Sequence, residues 1–156
     1  MYICTMKVCI LFGFLFFSCL QTIELSSLVV GVQDGDTVTL RLTSNDPRAG
    51  KRVGKNLRIR LLHVDCPERG YPYYMLAKKY TSELCFQKNV RVKHQNKFDK
   101  YGRLLGEIVL PDGRLLNKEL VKMGYAKHFK KYSSDAVYAD LEIKARTKKL
   151  GIWEDE

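Results

Sequence analysis

Apolar and polar side chains alternate with period two in LVVGV from Leu28 and again in VTLRL (38–42). The alternation returns in LRIRLLHV (57–64), VRVKH (90–94) and LLGEIVL (104–110). A two-residue period sets one face against a core, so five strands are predicted. The segment TSNDPRAGKRVGKN (43–56) is polar, carries Gly and Pro, and reads as a long hairpin connection. Pro111-Asp112-Gly113 supplies the turn that ends the fifth strand. In YYMLAKKYTSELCF (73–86) the period becomes helical, with Tyr73, Leu76, Ala77, Tyr80 and Leu84 on one stripe. Two more helices follow, one capped by Asn117 and ended by Gly124, the other capped by Ser134 and closed by Gly151. In the last, Val137, Tyr138, Leu141 and Ala145 form the predicted buried side. One helix after the third strand and two at the end predict an α+β domain dominated by a β-barrel. Its form is a five-stranded Greek-key barrel of the OB-fold type with three packed helices.

The first residues fit neither period. VCILFGFLFF (8–17) is a continuous apolar run behind Lys7, about half the roughly 20 residues a bilayer span needs, and suits the h-region of a secretory leader. Residues 1–20 are therefore expected to be a signal peptide or lipoprotein-type leader, with export across the cytoplasmic membrane. Cys19 is a candidate for lipid anchoring, and with it transient membrane association. A buried N-terminal strand or helix is the alternative, weakened because nothing polar interrupts the run. Residues 28–156 are expected to form one domain, since 156 residues hold one ordinary core. A monomer is expected.

Lys and Arg number 27 against 17 Asp and Glu, leaving a formal charge of +10 that attracts polyanions such as nucleic acid or an acidic membrane surface. Solubility alone is the competing explanation. Of five cysteines, three belong to the leader; Cys66 and Cys85 match no zinc spacing and are expected to be buried thiols.

Candidate chemistry gathers in VQDGDTV (32–38) and RLLHVDCPE (60–68), which both set carboxylates at a strand end where Gly35 or Pro67 bends the chain. Asp34, Asp36, Asp65 and Glu68 offer hard oxygens of the kind Ca²⁺ or Mg²⁺ takes. DGD alone is also an ordinary turn, with Asp bonding its own backbone and Gly supplying positive φ. Arg60 lies in an otherwise apolar strand, and Arg103 follows the turn of DKYGRLLGE (99–107). Two guanidiniums aimed at such a carboxylate cluster would grip phosphate oxygens in bidentate forks, while either could instead form a plain ion pair.

Taken in order, VQDGDTV, IRLLHVDCPE, DKYGRLLGEIVLPDG, LNKELVKMGYA and KKLGIW resemble the staphylococcal nuclease (thermonuclease) family from about Leu28 to Trp153. The resemblance implies that Asp36 and Asp65 bind a calcium ion, helped by the main-chain carbonyl of Cys66, with Asp34 nearby. It further implies that Arg60 and Arg103 hold the scissile phosphate, and that Glu68 positions or deprotonates the attacking water. Lys100, Tyr101, Lys130 and Tyr132 are the implied substrate contacts. In HFKKYSS (128–134) the family's type member has two tyrosines flanking the nucleotide; Tyr132 fits one position and Lys130 takes the other. The loop after Glu68 is shorter and the 43–56 hairpin longer than in the type member. The function implied is an exported, metal-dependent hydrolase of DNA and RNA with little sequence preference. A non-catalytic OB-fold module for single-stranded nucleic acid is the alternative, since the same barrel serves as a basic stacking platform.

Overall fold

The computed structural model describes residues 22–42 and 54–155. The leader and most of the 43–56 connection lie outside the described residues. In chain order the strands are β1 (Ile23–Asp34), β2 (Thr37–Arg41), β3 (Asn56–Leu61), β4 (Val64–Asp65), β5 (Asn89–Phe98), β6 (Leu104–Val109) and β7 (Lys127–His128). Helix α1 (Tyr74–Cys85) follows β4, α2 (Leu116–Lys122) follows β6, and α3 (Ala136–Thr147) precedes a short 3-10 turn at Gly151–Trp153. Five strands close a barrel in the order β1-β2-β3-β6-β5, while β4 and β7 pair separately. The expected α+β fold, a five-stranded OB-type barrel with three helices, is the fold the chain forms.

Only the β3–β6 seam is parallel; the other barrel pairs run antiparallel. The inward residues of the alternating runs, Leu40, Leu57, Ile59, Val92, Leu104 and Ile108, are fully buried. The first strand starts at Ile23, before the Leu28 at which alternation is legible, because residues 23–28 pair with β5 from Ile23↔His94 to Leu28↔Asn89. Cys66 and Cys85 are both free, buried thiols.

The helices differ from expectation in which residues they bury and how they begin. On α1 the inward side is Tyr74, Ala77, Thr81 and Cys85, leaving Leu76 exposed, with Tyr80 and Leu84 flanking the core. Thr81 decides the rotation: its hydroxyl donates to Gly35 O at 2.6 Å, and small Ala77 lets the helix approach the β1–β2 turn. Asn117 is not a cap. The N-cap of α2 is Leu115, and the buried Asn117 amide accepts from Ile108 N (3.0 Å) and donates to Leu62 O (2.9 Å). On α3 the cap is Asp135, which accepts from Val137 N at 2.8 Å, and not Ser134. Val137 is exposed and Glu142 is buried instead, holding Lys130 at 2.8 Å. Ion pairing lets this carboxylate occupy a position that hydropathy assigns to an apolar side chain.

Candidate active site

The β1–β2 turn is held from three sides. Leu61 N donates to Asp36 O (2.9 Å), Thr81 holds Gly35 O, and Tyr74 OH donates to Asp34 Oδ1 (3.1 Å). Gly35 is not among the positive-φ glycines. Its missing side chain answers a need for space: a Cβ there would stand 2.8 Å from Cys66 Sγ and 2.9 Å from Ala77 Cβ. This contact seats DGD directly on DCPE, and Cys66 N donates to Asp36 Oδ2 at 2.9 Å.

Arg60 joins the two carboxylates. Its Nη1 lies 3.0 Å from Asp36 Oδ2 and its Nη2 2.9 Å from Asp65 Oδ1, so both acids face one guanidinium. Nη1 also donates to Leu61 O (3.1 Å) and Val64 O (2.9 Å), which staples the turn that brings Asp65 back beside the barrel. On the other side, Thr37 Oγ1 donates to Asp36 Oδ1 (3.1 Å) and accepts from Arg103 Nη1 (3.1 Å). Arg103 Nε in turn donates to Asp99 Oδ2 at 2.7 Å. Asp99, Arg103, Thr37, Asp36, Arg60 and Asp65 therefore form one continuous polar chain across the mouth of the barrel.

Burial is the largest influence on Asp36 and holds its carboxyl above the usual range, against the pull of Arg60, the Cys66 N–H and the Thr37 hydroxyl. Burial also pushes the Cys66 thiol well above its ordinary value, and the neighbouring charges of Asp36, Asp65 and Asp34 add to that rise. A protonated, buried thiol is no nucleophile. For Asp99 burial acts upward, but hydrogen bonds from Arg103 and from Tyr101 N prevail and lower the carboxyl.

This chain of groups borders a cleft of about 980 Å³, which also admits Asp34, Glu68, Lys100, Tyr101 and Tyr132. Glu68 is exposed and, among the described residues, its carboxylate has no hydrogen-bond or ion-pair partner. The Tyr101 ring lies 5.0 Å from Lys100 Nζ and 5.3 Å from Arg103 Cζ. Of the residues singled out in the sequence, Lys130 alone lies outside the cleft lining; Glu142 holds it at 2.8 Å. Phe129 stands in the lining, 5.9 Å from Arg60 Cζ and edge-on to Tyr132 at 5.0 Å.

Thr37, Asp99 and Phe129 escaped the sequence reading. Thr37 directly follows DGD, and Asp99 opens DKYGR, so chain proximity was the one available signal.

The donors near Asp36 and Asp65 are hard oxygens, and the raised Asp36 carboxyl marks a buried negative charge that a cation would relieve. Among the described residues no group of three or more His, Cys, Asp or Glu side chains is gathered to hold a metal ion. A cation here would draw on the Asp36 and Asp65 carboxylates and on water, oxygens that suit a hard divalent ion.

Comparison with known proteins agrees with the geometry. The family model described as "Staphylococcal nuclease homologue" matches residues 58–155. An "Uncharacterized endonuclease" of Haemophilus influenzae is 35% identical over 127 residues, covering 81% of this chain and 65% of that protein. A protein of the same description from Escherichia coli O157:H7 is 34% identical over 132 residues, covering 85% and 79%. A "Micrococcal nuclease" of Shigella flexneri is 29% identical over 137 residues, covering 81% and 72%. The chain thus spans just under two thirds of the length of the Haemophilus relative.

Proposed function

The chain belongs to the staphylococcal nuclease homologue family, and from that premise we propose that it hydrolyses phosphodiester bonds of DNA and RNA with the help of a divalent ion, calcium. The observation that carries this reading is the polar chain itself, in which two guanidiniums and three carboxylates are joined in one cleft with a Glu68 that has no partner among the described residues. Asp36, Asp65 and the Cys66 carbonyl would hold the ion. When bound, calcium supplies fixed positive charge where the phosphoryl oxygens gain negative charge.

The protein's own groups carry the remaining work. Arg103 is anchored through Nε and Nη1, which leaves Nη2, with no partner among the described residues, to meet a phosphate oxygen. Fixed donors of this kind stabilise developing charge without reorganising. Glu68 is free to orient a water or accept its proton while the water oxygen bonds to phosphorus and the ester oxygen departs. Lys100, Tyr101 and Tyr132 line the route of the substrate strand, where aromatic faces stack bases without reading them. Little sequence preference follows. Export belongs to the same proposal and rests on the apolar leader; fractionation of producing cells for nuclease activity tests it.

The central test is incubation of purified protein with denatured DNA and calcium, with and without chelator, beside Arg103→Ala. Degradation that chelator abolishes and Arg103→Ala lowers by about 10²- to 10³-fold supports the enzyme. Tight binding with the DNA left whole would support the non-catalytic binding module instead.

A further inference from the structure

The inner group of the cleft is acidic, so the positive charge that meets its proposed polyanionic substrate must come from elsewhere in the lining. Its lining holds five carboxylates, Asp34, Asp36, Asp65, Glu68 and Asp99, but near the centre only two guanidiniums, those of Arg60 and Arg103. Both are engaged by acids already: Arg60 by Asp36 and Asp65, Arg103 by Asp99. A divalent ion would offset two of the three surplus charges of this inner group and leave the last to the remaining cations of the lining. The field that meets a nucleic-acid strand as it approaches is therefore set by the cations at the rim of the cleft.

Three further cations line the same cleft, and they stand outside the polar chain. Lys100 lies against the Tyr101 ring. The other two are Arg69, in the turn immediately after Glu68, and Lys97, near the end of β5. Both are exposed, and neither has an acidic partner among the described residues. Arg69 and Lys97, like Lys100, line the cleft without an acid engaging them among the described residues, and they reach it from different elements, which leaves their charges available to phosphates beside the catalytic groups.

We infer that Arg69 and Lys97 bind backbone phosphates near the scissile one, which makes the substrate a polynucleotide strand spanning several phosphates and disfavours a dinucleotide. The inference rests on the nuclease reading for the identity of the ligand. It adds two residues that the motifs do not mark and a length requirement that the catalytic groups do not impose. Arg69 and Lys97 supply encounter and register; they do not touch the reacting atoms.

The test is binding of a fluorescent oligothymidylate by anisotropy, in chelator, across a series of salt concentrations. Each of Arg69→Gln and Lys97→Gln should reduce the magnitude of the slope of log affinity against log salt by about 0.7, the value for one single-strand phosphate contact, and the double variant by about twice that. Lys79→Gln removes the same charge from α1, where Lys79 faces Glu83, and should leave the slope unchanged. With calcium present, the double variant should raise KM for a long strand while kcat holds, and the ratio should shrink for a dinucleotide. Unchanged slopes in both variants, or an equal loss in Lys79→Gln, overturn the inference. Absence of oligothymidylate binding in the wild type overturns it too. Binding is read without turnover, so a protein that binds with these slopes but never cleaves defeats the nuclease reading alone.

Discussion

Gly35→Ala perturbs the closeness on which the whole site depends. A Cβ at this position would lie 2.8 Å from Cys66 Sγ, 2.9 Å from Ala77 Cβ and 3.0 Å from Cys66 Cβ, where carbon atoms normally rest about 3.5–4.0 Å apart. Neither neighbour gives way freely. Cys66 is tied to Asp36 through its own N–H at 2.9 Å, and Ala77 belongs to the helix whose Thr81 grips Gly35 O at 2.6 Å. Relief therefore requires the turn to retreat by about 0.5–1 Å. Overpacking of this kind costs about 1–3 kcal/mol, and each kcal/mol lowers Tm by about 2–4 °C in a domain near this size.

The loss of activity should exceed the loss of stability. Asp36 is the next residue, and its two carboxylate oxygens meet Arg60, Cys66 N and Thr37 at 2.9–3.1 Å. A displacement near 1 Å at a catalytic centre costs about 10²-fold in rate. Melting followed by circular dichroism and the rate of denatured-DNA hydrolysis, measured on the same preparation, read both effects. Adding Cys66→Ala to Gly35→Ala deletes the shortest contact and should recover part of each loss, whereas Cys66→Ala alone leaves a void and destabilises. A Gly35→Ala protein that melts and cleaves like the wild type would refute the reasoning, as would a double variant in which the two losses simply add.

Three other outcomes are expected. Glu68→Ser should leave Tm within error, because the side chain is exposed and unpartnered among the described residues, while hydrolysis falls about 10²- to 10⁴-fold; a folded, fully active variant rejects the role given to Glu68. Asn117→Ala strands Ile108 N and Leu62 O in the interior and should cost about 2–4 kcal/mol in urea unfolding, with any effect on activity following stability. Asp36 has a folded pKa above its unfolded value, so its favourable contribution is complete below the unfolded value and is lost as pH rises through the folded one. In chelator, Asp36→Asn should accordingly gain Tm relative to wild type as pH climbs from the carboxylate range toward neutrality, and calcium should reverse that order; a difference independent of pH contradicts it.

The barrel was legible because its strands announce themselves with a period of two: Leu57, Ile59 and Leu61 point inward from β3 between the outward Arg58 and the half-buried Arg60. Where the reading failed, a polar residue had taken an interior place through a long-range bond that local pattern does not encode. Asn117 looks like a cap because asparagine caps helices, yet it serves β6 and the turn after β3 from inside α2. Ser134 likewise looks like a cap, yet Asp135 holds that place, and Glu142 is buried against Lys130, a pairing that local pattern does not foretell.

The carboxylates and arginines of the site were legible as residue types at strand ends; their convergence was not. Arg60 and Asp36 are far apart in sequence but adjacent in space because β2 and β3 pair with Thr37 opposite Arg60. That register puts the outer end of the DGD turn beside Arg60, the half-buried one of the two arginines of β3. The parallel seam then sets Leu105 opposite Arg60, so that β6 begins at the cleft and carries Arg103 to its edge. A single slip of β3 by one residue would turn Arg60 into the core and Leu61 into the cleft. The burial alternation of β3 thus does more than fill the barrel: by excluding that slip, it aims a guanidinium at two carboxylates, and the polar chain from Asp99 to Asp65 is a consequence of core packing.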